Sequence, residues 1–299
     1  MIVLSGGTGT PKLLVGLKQI VDPGRLTVVV NTAEDVWASG NLISPDVDTV
    51  LYTLAGLADE SKWWGIRGDT FHTHDRLKKM GLIELLTLGD IDRATHIFRS
   101  ELIRNGASLS EATAALAGAL GIEQAVIPMS DDPVSTMIAT PDGEMHFQEY
   151  WVGLKGVPVI RSIRLDGIER ARPSAGFVEA LSMEDTVLIG PSNPVTSIGP
   201  ILALPGVRKM MEEKYVVAVS PLAGDKPFSG PAARFMQAVG VTADDRGVSE
   251  LLGHVDLFVV SPESSYQGEC LRMDTLMKTG ADSKSLAKRI IGRMPCSLE

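Results

Sequence analysis

The first dozen residues combine an apolar segment, a glycine cluster and the start of a helix. Residues 1–4 are apolar, three glycines fall within positions 6–9, and Pro11 stands where the first turn of a helix should begin. Glycines let a backbone approach a phosphate closely, and the free N–H groups of a helix N-terminus favour negative charge. The segment therefore predicts phosphate binding, and the alternative is a tight turn without a ligand.

This glycine pattern differs from two common nucleotide motifs. The dinucleotide fingerprint G-x-G-x-x-G would place its third glycine where Lys12 stands, and the P-loop G-x-x-x-x-G-K-[ST] is absent. Asn31 also stands where a NAD-binding fold often carries an acid for the ribose. These departures argue against a nicotinamide dehydrogenase.

Acidic residues follow the second predicted strand. Ser44, Pro45 and Asp46 are typical of a helix cap, a first-turn proline and a first-turn acid, and Asp48 follows in the same turn. The two acids either compensate the helix dipole or, together with Asp35, bind Mg²⁺ beside a diphosphate. Their spacing leaves both interpretations open.

A loop rich in neutral polar groups follows the predicted strand at residues 186–190. Its prolines and glycines restrict the backbone, and Ser192, Asn193, Thr196 and Ser197 supply hydrogen-bonding side chains. This chemistry suits a phosphate or base pocket; the alternative is a rigid turn followed by a capped helix.

Histidines and cysteines give weaker signals. His72 and His74 are two residues apart on a predicted helix and do not share a face, and His96 has no obvious partner, so we expect solvated or core-edge histidines. Cys270 and Cys296 fit neither a metal-ligand pair nor a disulfide framework.

The elements that would position these residues alternate between strands and helices. The unalternating, β-branched residues 26–30 are typical of a strand buried on both faces. We predict one α/β domain over residues 1–299: an open, doubly wound, mostly parallel, Rossmann-like sheet with its ligand crevice at the strand carboxyl ends. We expect a helical insertion at about residues 63–121 and a β-rich insertion with a hairpin at about residues 134–172.

Composition narrows the function classes. The chain has 299 residues and a formal net charge of -9, which argues against a general nucleic-acid or anionic-membrane binder. An anionic ligand would have to be held by local groups or a metal ion. No leader pattern opens the chain and no apolar run approaches the roughly 20 residues of a membrane span, so we expect a soluble cytoplasmic protein.

Four sets of segments together resemble the 2-phospho-L-lactate transferase family. They cover nearly the whole chain in the expected order: residues 5–14, residues 31–35 with 43–52, residues 88–96, and residues 128–133 with 191–200. The resemblance implies a Mg²⁺-dependent transferase for substituted phosphate groups, late in the biosynthesis of coenzyme F420. Such an enzyme would move 2-phospholactate from lactyl-2-diphospho-5'-guanosine to the ribityl hydroxyl of the deazaflavin Fo and release GMP.

The resemblance also implies site residues. Donor phosphates would be held by Gly6, Gly7, Thr8 and Gly9, beside Asn31. The metal ion would be held by Asp35 and Asp48, and catalysis would depend on Asp46 and Asp48. The guanosine side would use Ser192, Asn193 and Ser197. Fo would lie near Thr87, Gly89 and Asp90, with Asp48 reaching its ribityl chain. Thr87 departs from the basic residue that relatives often carry, which leaves Lys12 and Arg67 as other sources of charge.

The alternative is a nucleotide-sugar-binding regulator of the gluconeogenesis-factor group, which shares the Gly-Gly-Thr-Gly start. The acids at positions 46 and 48 and the Asp131-Asp132 segment favour the enzyme. The sequence leaves open whether the donor carries a lactyl, phosphoenolpyruvyl or glyceryl group. A homodimer is the expected assembly because most soluble oligomers are symmetric dimers.

Overall fold

The structure, a computed structural model, describes residues 1–224, 226–227 and 232–295. The strands are β1 (Ile2–Ser5), β2 (Thr27–Val30), β3 (Val36–Ala38), β4 (Asn41–Ile43), β5 (Ala125–Pro128), β6 (Ser135–Thr140), β7 (Gly143–His146), β8 (Ser162–Asp166), β9 (Thr186–Ile189), β10 (Tyr215–Val219), β11 (Leu222–Ala223), β12 (Lys226–Pro227), β13 (Leu257–Val260) and β14 (Leu271–Arg272).

The helices are α1 (Gly9–Leu17), α2 (Pro45–Leu54), α3 (His72–Lys79), α4 (Asp90–Arg104), α5 (Leu109–Ala119), α6 (Ala175–Met183), α7 (Ile198–Ala203), α8 (Val207–Met211), α9 (Ala232–Ala238), α10 (Asp245–Leu252) and α11 (Gly280–Ile291). A 3₁₀ turn spans Pro23–Arg25, and a π-helical turn spans Glu149–Gly153. In the described ranges, every helix is too short or too polar to cross a bilayer.

Seven parallel strands form the central sheet, in the order β14-β13-β10-β9-β1-β2-β5. The chain moves from β1 through β2 to β5, and then returns to the other side of β1 to form β9. The point where the order reverses therefore lies beside β1, and ligands of open α/β sheets bind outside the carboxyl ends at such a point. The predicted doubly wound parallel fold is confirmed.

Both faces of this sheet are buried. Val3 of β1 packs in one hydrophobic core with Leu14 of α1 and Leu51 of α2. Its neighbours Ile2 and Leu4 pack in a second core on the opposite face. Because successive residues of a strand point to opposite faces, this alternation shows why the strands are continuously apolar.

Two smaller antiparallel sheets lie in the connections. β3 and β4 form a hairpin before α2, and β6 pairs with both β7 and β8 in a three-stranded sheet. The hairpin expected within about residues 134–172 is present, formed by β6 and β7. Residues 149–153 lie in the insertion that we expected to be β-rich, but they form the π-helical turn, because Tyr150 is buried in a cluster with Phe147 and Phe235.

Candidate functional site

A cleft of about 390 Å³ opens at the carboxyl edge of the central sheet. Its floor is supplied by the loops after β1, β2 and β9, and by the first turns of α2. Other walls come from the segment between α2 and α3, from α4 and the segment before it, and from the π-helical turn. The cleft therefore lies at the switch point that the strand order defines.

The glycine loop after β1 contributes backbone to this cleft. Gly7 has a φ of +54°, a left-handed conformation that favours glycine. A Cβ on Gly6 would lie 2.8 Å from Oδ2 of Asp46, and a Cβ on Gly9 would lie 1.8 Å from the carbonyl oxygen of Pro191. Residues 7–9 line the cleft, whereas Gly6 packs behind them.

The loop after β9 is fastened to the glycine loop through Ser192. Its Oγ donates a hydrogen bond to the carbonyl oxygen of Gly6 and accepts one from the Thr10 N–H at 3.1 Å. The Oγ atoms of Ser192 and Thr10 also lie 2.6 Å apart. Asn193 shapes the same loop, because its Oδ1 accepts the N–H of Val195 at 3.0 Å. The structure thus brings together the predicted phosphate and guanosine residues, and Ser192, Asn193 and Ser197 all line the cleft.

A buried group of polar side chains joins β2 to α2. Asn31 donates from Nδ2 to Oδ2 of Asp46 at 2.8 Å. Burial raises the pKa of Asp46 to about 6, although hydrogen bonds from Asn31 and from the Gly7 N–H act in the opposite direction. Burial, followed by the negative charge of Asp46, raises the pKa of Glu34 well above its usual value. Glu34 lines the cleft with Asp46, and the sequence analysis did not propose it as a site residue.

Asp48 is held by Arg99, a fully buried residue of α4. The Arg99 guanidinium donates to both carboxylate oxygens of Asp48, with an Nη1 to Oδ2 distance of 3.2 Å. Burial alone would raise the pKa of Asp48, but the charges of Arg99 and His96 and their hydrogen bonds bring it down to about 2. Asp48 is therefore a fixed anion at neutral pH.

His96 and Tyr52 extend this network. Nε2 of His96 lies 3.2 Å from Asp48 Oδ2 and 3.2 Å from Asp92 Oδ1, and Tyr52 donates to Asp92 Oδ1 at 2.6 Å. Burial opposes a charge on His96, but its contacts with the two carboxylates raise its pKa to about 9. Tyr52, Asp92 and His96 line the cleft with Asp48, whereas Arg99 is not among the described lining residues.

Three of these side chains could hold a metal ion. Ligand atoms of Asp48, Asp92 and His96 lie within 4.8 Å of one another. His96 is protonated below its pKa of about 9 and would have to lose its proton before Nε2 could bind the ion, but the two carboxylates supply the oxygen atoms that Mg²⁺ prefers. The donor set therefore fits a divalent cation.

The predicted ligand Asp35 occupies a different position. Its Oδ1 accepts a hydrogen bond from Ser44 Oγ at 2.7 Å, and burial raises its pKa well above the usual value. Asp35 is not among the described residues that line the cleft. Its role as a metal ligand stays a prediction.

Only part of the segment predicted to bind Fo, residues 87–90, lines the cleft. Thr87 lines the cleft, whereas Gly89 and Asp90 do not. A Cβ on Gly89 would lie 2.1 Å from Oδ2 of Asp69, and Asp90 Oδ2 accepts the N–H of His72 at 2.9 Å. Asp90 thus fastens the start of α3 to the start of α4, and Gly89 allows the Asp69 side chain to approach closely.

The Asp131-Asp132 segment and Cys270 lie outside the cleft lining in the described part of the chain. Asp131 and Asp132 accept backbone N–H groups of Ser110 and Arg172, at 2.7 Å and 2.9 Å, outside the cleft lining. Cys270 is a half-buried free thiol, while Cys296 lies outside the described residues.

Neither alternative source of positive charge reaches the cleft lining in the described part of the chain. Lys12 lies with Nζ 5.4 Å from the ring centroid of Trp63, and burial lowers its pKa. Arg67 donates from Nη2 to the carbonyl oxygen of Gly56 at 3.0 Å. The described lining residues include carboxylates and one histidine but no lysine or arginine.

Sequence reasoning did not connect the residues of the α4 network. Asp92, His96 and Arg99 are spaced four and three residues apart, so they share one face of a helix. That spacing is a signal for a polar helix face buried against the site. Nothing in the sequence, however, paired this face with Asp48.

The parallel sheet, the glycine loop at its switch point and the adjoining acids define an α/β protein with a cleft for a small molecule at the carboxyl edge of its sheet. A model of the family described as 2-phospho-L-lactate transferase CofD matches residues 1–290. The chain belongs to this family.

Curated relatives agree with this membership, and a solved structure shares the fold. A 2-phospho-L-lactate transferase of Methanosarcina mazei is 50% identical over 300 residues, covering 97% of this chain and 99% of the relative. One from Methanosarcina acetivorans is 51% identical over 301 residues, covering 98% of each chain. A crystal structure of a UPF0052-family protein from Bacillus halodurans shares the fold, with a TM-score of 0.57 and 20% identity over 87% of this chain and 79% of that one.

Proposed function

We propose that this chain is a 2-phospho-L-lactate transferase of F420 biosynthesis. It transfers phospholactate from lactyl-2-diphospho-5'-guanosine to the ribityl hydroxyl of Fo. The observation that carries the proposal is the meeting of the glycine loop with the Asp46 and Asp48 side chains in one cleft, in a member of this family.

The glycine loop and the loop after β9 would bind the donor. Residues 7–9 line the cleft at the start of α1, where the helix dipole favours an anion. Asn193 and Ser197 supply neutral polar groups beside them for the nucleoside.

The two acids of α2 would have different roles. Asp46, whose pKa is about 6, is ionised at neutral pH yet basic enough to accept the proton of the attacking hydroxyl. Asp48, whose pKa is about 2, stays anionic and would orient that hydroxyl by accepting a hydrogen bond. The hydroxyl oxygen then bonds to the phosphorus that carries lactate, the bond from this phosphorus to the bridging oxygen breaks, and GMP leaves with that oxygen.

A divalent cation would balance the charge of the donor. The cleft is lined by Glu34, Asp46, Asp48 and Asp92, so an unaccompanied diphosphate would be repelled. Asp48 and Asp92 would hold Mg²⁺, with His96 beside them. When bound, the ion would neutralise the diphosphate and stabilise charge on its oxygens.

The test is turnover with purified donor, Fo and Mg²⁺, followed by chromatography of the products. We expect GMP release that requires Fo, and much slower release by Asp46→Asn. Nucleotide binding without Fo-dependent GMP release would overturn the proposal in favour of a regulator that binds without turnover.

A further inference from the structure

Tryptophan is concentrated in the cleft. The chain has four tryptophans, and Trp63, Trp64 and Trp151 line the cleft. Trp64 is 46% exposed and Trp151 is 36% exposed. Large aromatic faces left accessible in a concave site are suited to binding an apolar ring.

Trp63 is held in an unfavourable backbone conformation. Its φ of +62° lies in the left-handed region, which costs a residue with a side chain about 1 kcal/mol or more. The loop is closed by a bridge between Ala58 and Ile66, and the Trp63 N–H donates to the carbonyl oxygen of Asp59 at 2.7 Å. Lys12 lies against the ring, 5.4 Å from its centroid. These contacts fix the indole at the cleft.

Trp151 is placed by a second unusual piece of backbone. It lies in the π-helical turn Glu149–Gly153, and such turns occur often at functional sites. The neighbouring Tyr150 is fully buried and donates from its hydroxyl to the carbonyl oxygen of Pro158 at 2.8 Å. A Cβ on Gly156 would lie 2.7 Å from the Trp151 ring, so this glycine leaves room for the indole.

Polar and aromatic lining residues come from different parts of the chain. The polar groups come from the strand loops and α2, whereas the tryptophans come from inserted segments. Leu86, Phe147 and Val152 also contribute apolar surface to the cleft. The indole faces suit stacking against a large, fused planar ring, whereas the loop after β9 offers hydrogen-bonding groups for the edge of the donor's base.

We propose that Trp63 and Trp151 bind the planar ring of the acceptor and determine acceptor specificity. This inference rests on the proposed function, because that function supplies a deazaflavin acceptor. With the diphosphate at the glycine loop and the acceptor ring against the tryptophans, the acids of α2 would act on the hydroxyl that joins the two regions.

The kinetic test compares Trp63→Ala and Trp151→Ala with the matched control Trp37→Ala. Trp37 is 55% exposed on β3 and is not among the described lining residues. We expect about a tenfold or greater rise in KM for Fo in each cleft variant, because a stacked ring loses a major contact. The KM for the donor should stay within about twofold, and Trp37→Ala should match the unsubstituted protein. A rise in the donor KM alone, or three equivalent variants, would overturn the inference.

A binding test separates this inference from the proposed function. Fo added without donor should quench tryptophan fluorescence, and Trp151→Phe should lose part of the quenching while keeping an aromatic face. This variant also serves if an alanine variant fails to fold. Quenching that depends on Trp63 and Trp151 without product formation would overturn the transferase and support the ring site. Product formation, with quenching that neither cleft substitution changes, would support the transferase and overturn the ring site at the tryptophans.

Discussion

At the scale of single residues, the Asp48–Arg99 pair ties the site to the stability of the fold. As a first-turn acid on a surface helix, Asp48 would contribute less than about 1 kcal/mol. The structure instead buries it against a guanidinium with no solvent exposure. Removing either partner leaves the other charge buried and unpaired, so Asp48 cannot be replaced without a structural effect.

We therefore expect Asp48→Ala to lower the free energy of unfolding by about 3–5 kcal/mol. The double variant Asp48→Ala/Arg99→Met should recover much of this loss, because it leaves no unpaired charge. Urea unfolding of the two single variants and the double variant measures the coupling. A single variant within about 0.5 kcal/mol of the unsubstituted protein would mean that the pair is not buried as described.

His96 makes a pH-dependent contribution with a defined sign. Its pKa in the folded protein is about 9, above the ordinary value of 6.5, so protonation favours the folded state. The stabilisation is complete below about pH 6.5 and is lost as the pH rises through about 9. His96→Gln should thus lose at most about 3 kcal/mol at pH 6 and much less at pH 10.

Urea unfolding in EDTA at both pH values measures this difference without a bound metal ion. His72→Gln is the matched control, because His72 is exposed on α3. Equal destabilisation by His96→Gln at pH 6 and pH 10 would contradict a charged histidine between the two carboxylates.

At the scale of elements, the close approach of α1 to the loop after β9 depends on Gly9. Gly9→Ala should destabilise the protein and weaken donor binding, because its Cβ would lie 1.8 Å from the Pro191 carbonyl oxygen. Gly118→Ala is the control: it lies in α5 with no atom within 4 Å of its Cβ, and should stabilise the protein by about 0.5–1 kcal/mol. Thermal unfolding and nucleotide titration compare the two variants. Equal unfolding temperatures and equal nucleotide affinities for the two variants would show that α1 does not approach the loop after β9 closely.

The sequence predicted these elements where one local pattern decides them. Buried β-branched runs gave β2 and β9, Pro11 and Pro45 marked helix starts, and the glycine loop followed from its position after β1. Contacts between residues that are far apart in the sequence could not be predicted from local patterns. Arg99 meets Asp48 across 51 residues, and the π-helical turn follows from the burial of Tyr150 in a core built by distant segments.

At the scale of the whole molecule, the negative charge of the protein opposes the binding of an anionic diphosphate. The chain carries a formal net charge of -9, and the described cleft lining includes no lysine or arginine. Guanosine diphosphate should therefore raise the thermal unfolding temperature only when Mg²⁺ is present. Adenosine diphosphate with Mg²⁺ is the control for base recognition, and an equal shift in EDTA would show that no cation is needed.

A crystal structure with guanosine diphosphate and Mg²⁺ tests the central claim most directly. We predict that the diphosphate lies against the backbone of residues 7–9, with guanosine beside Asn193 and Ser197 and the metal ion at Asp48. A diphosphate bound away from the glycine loop, with the cleft at the end of β1 empty, would contradict the account.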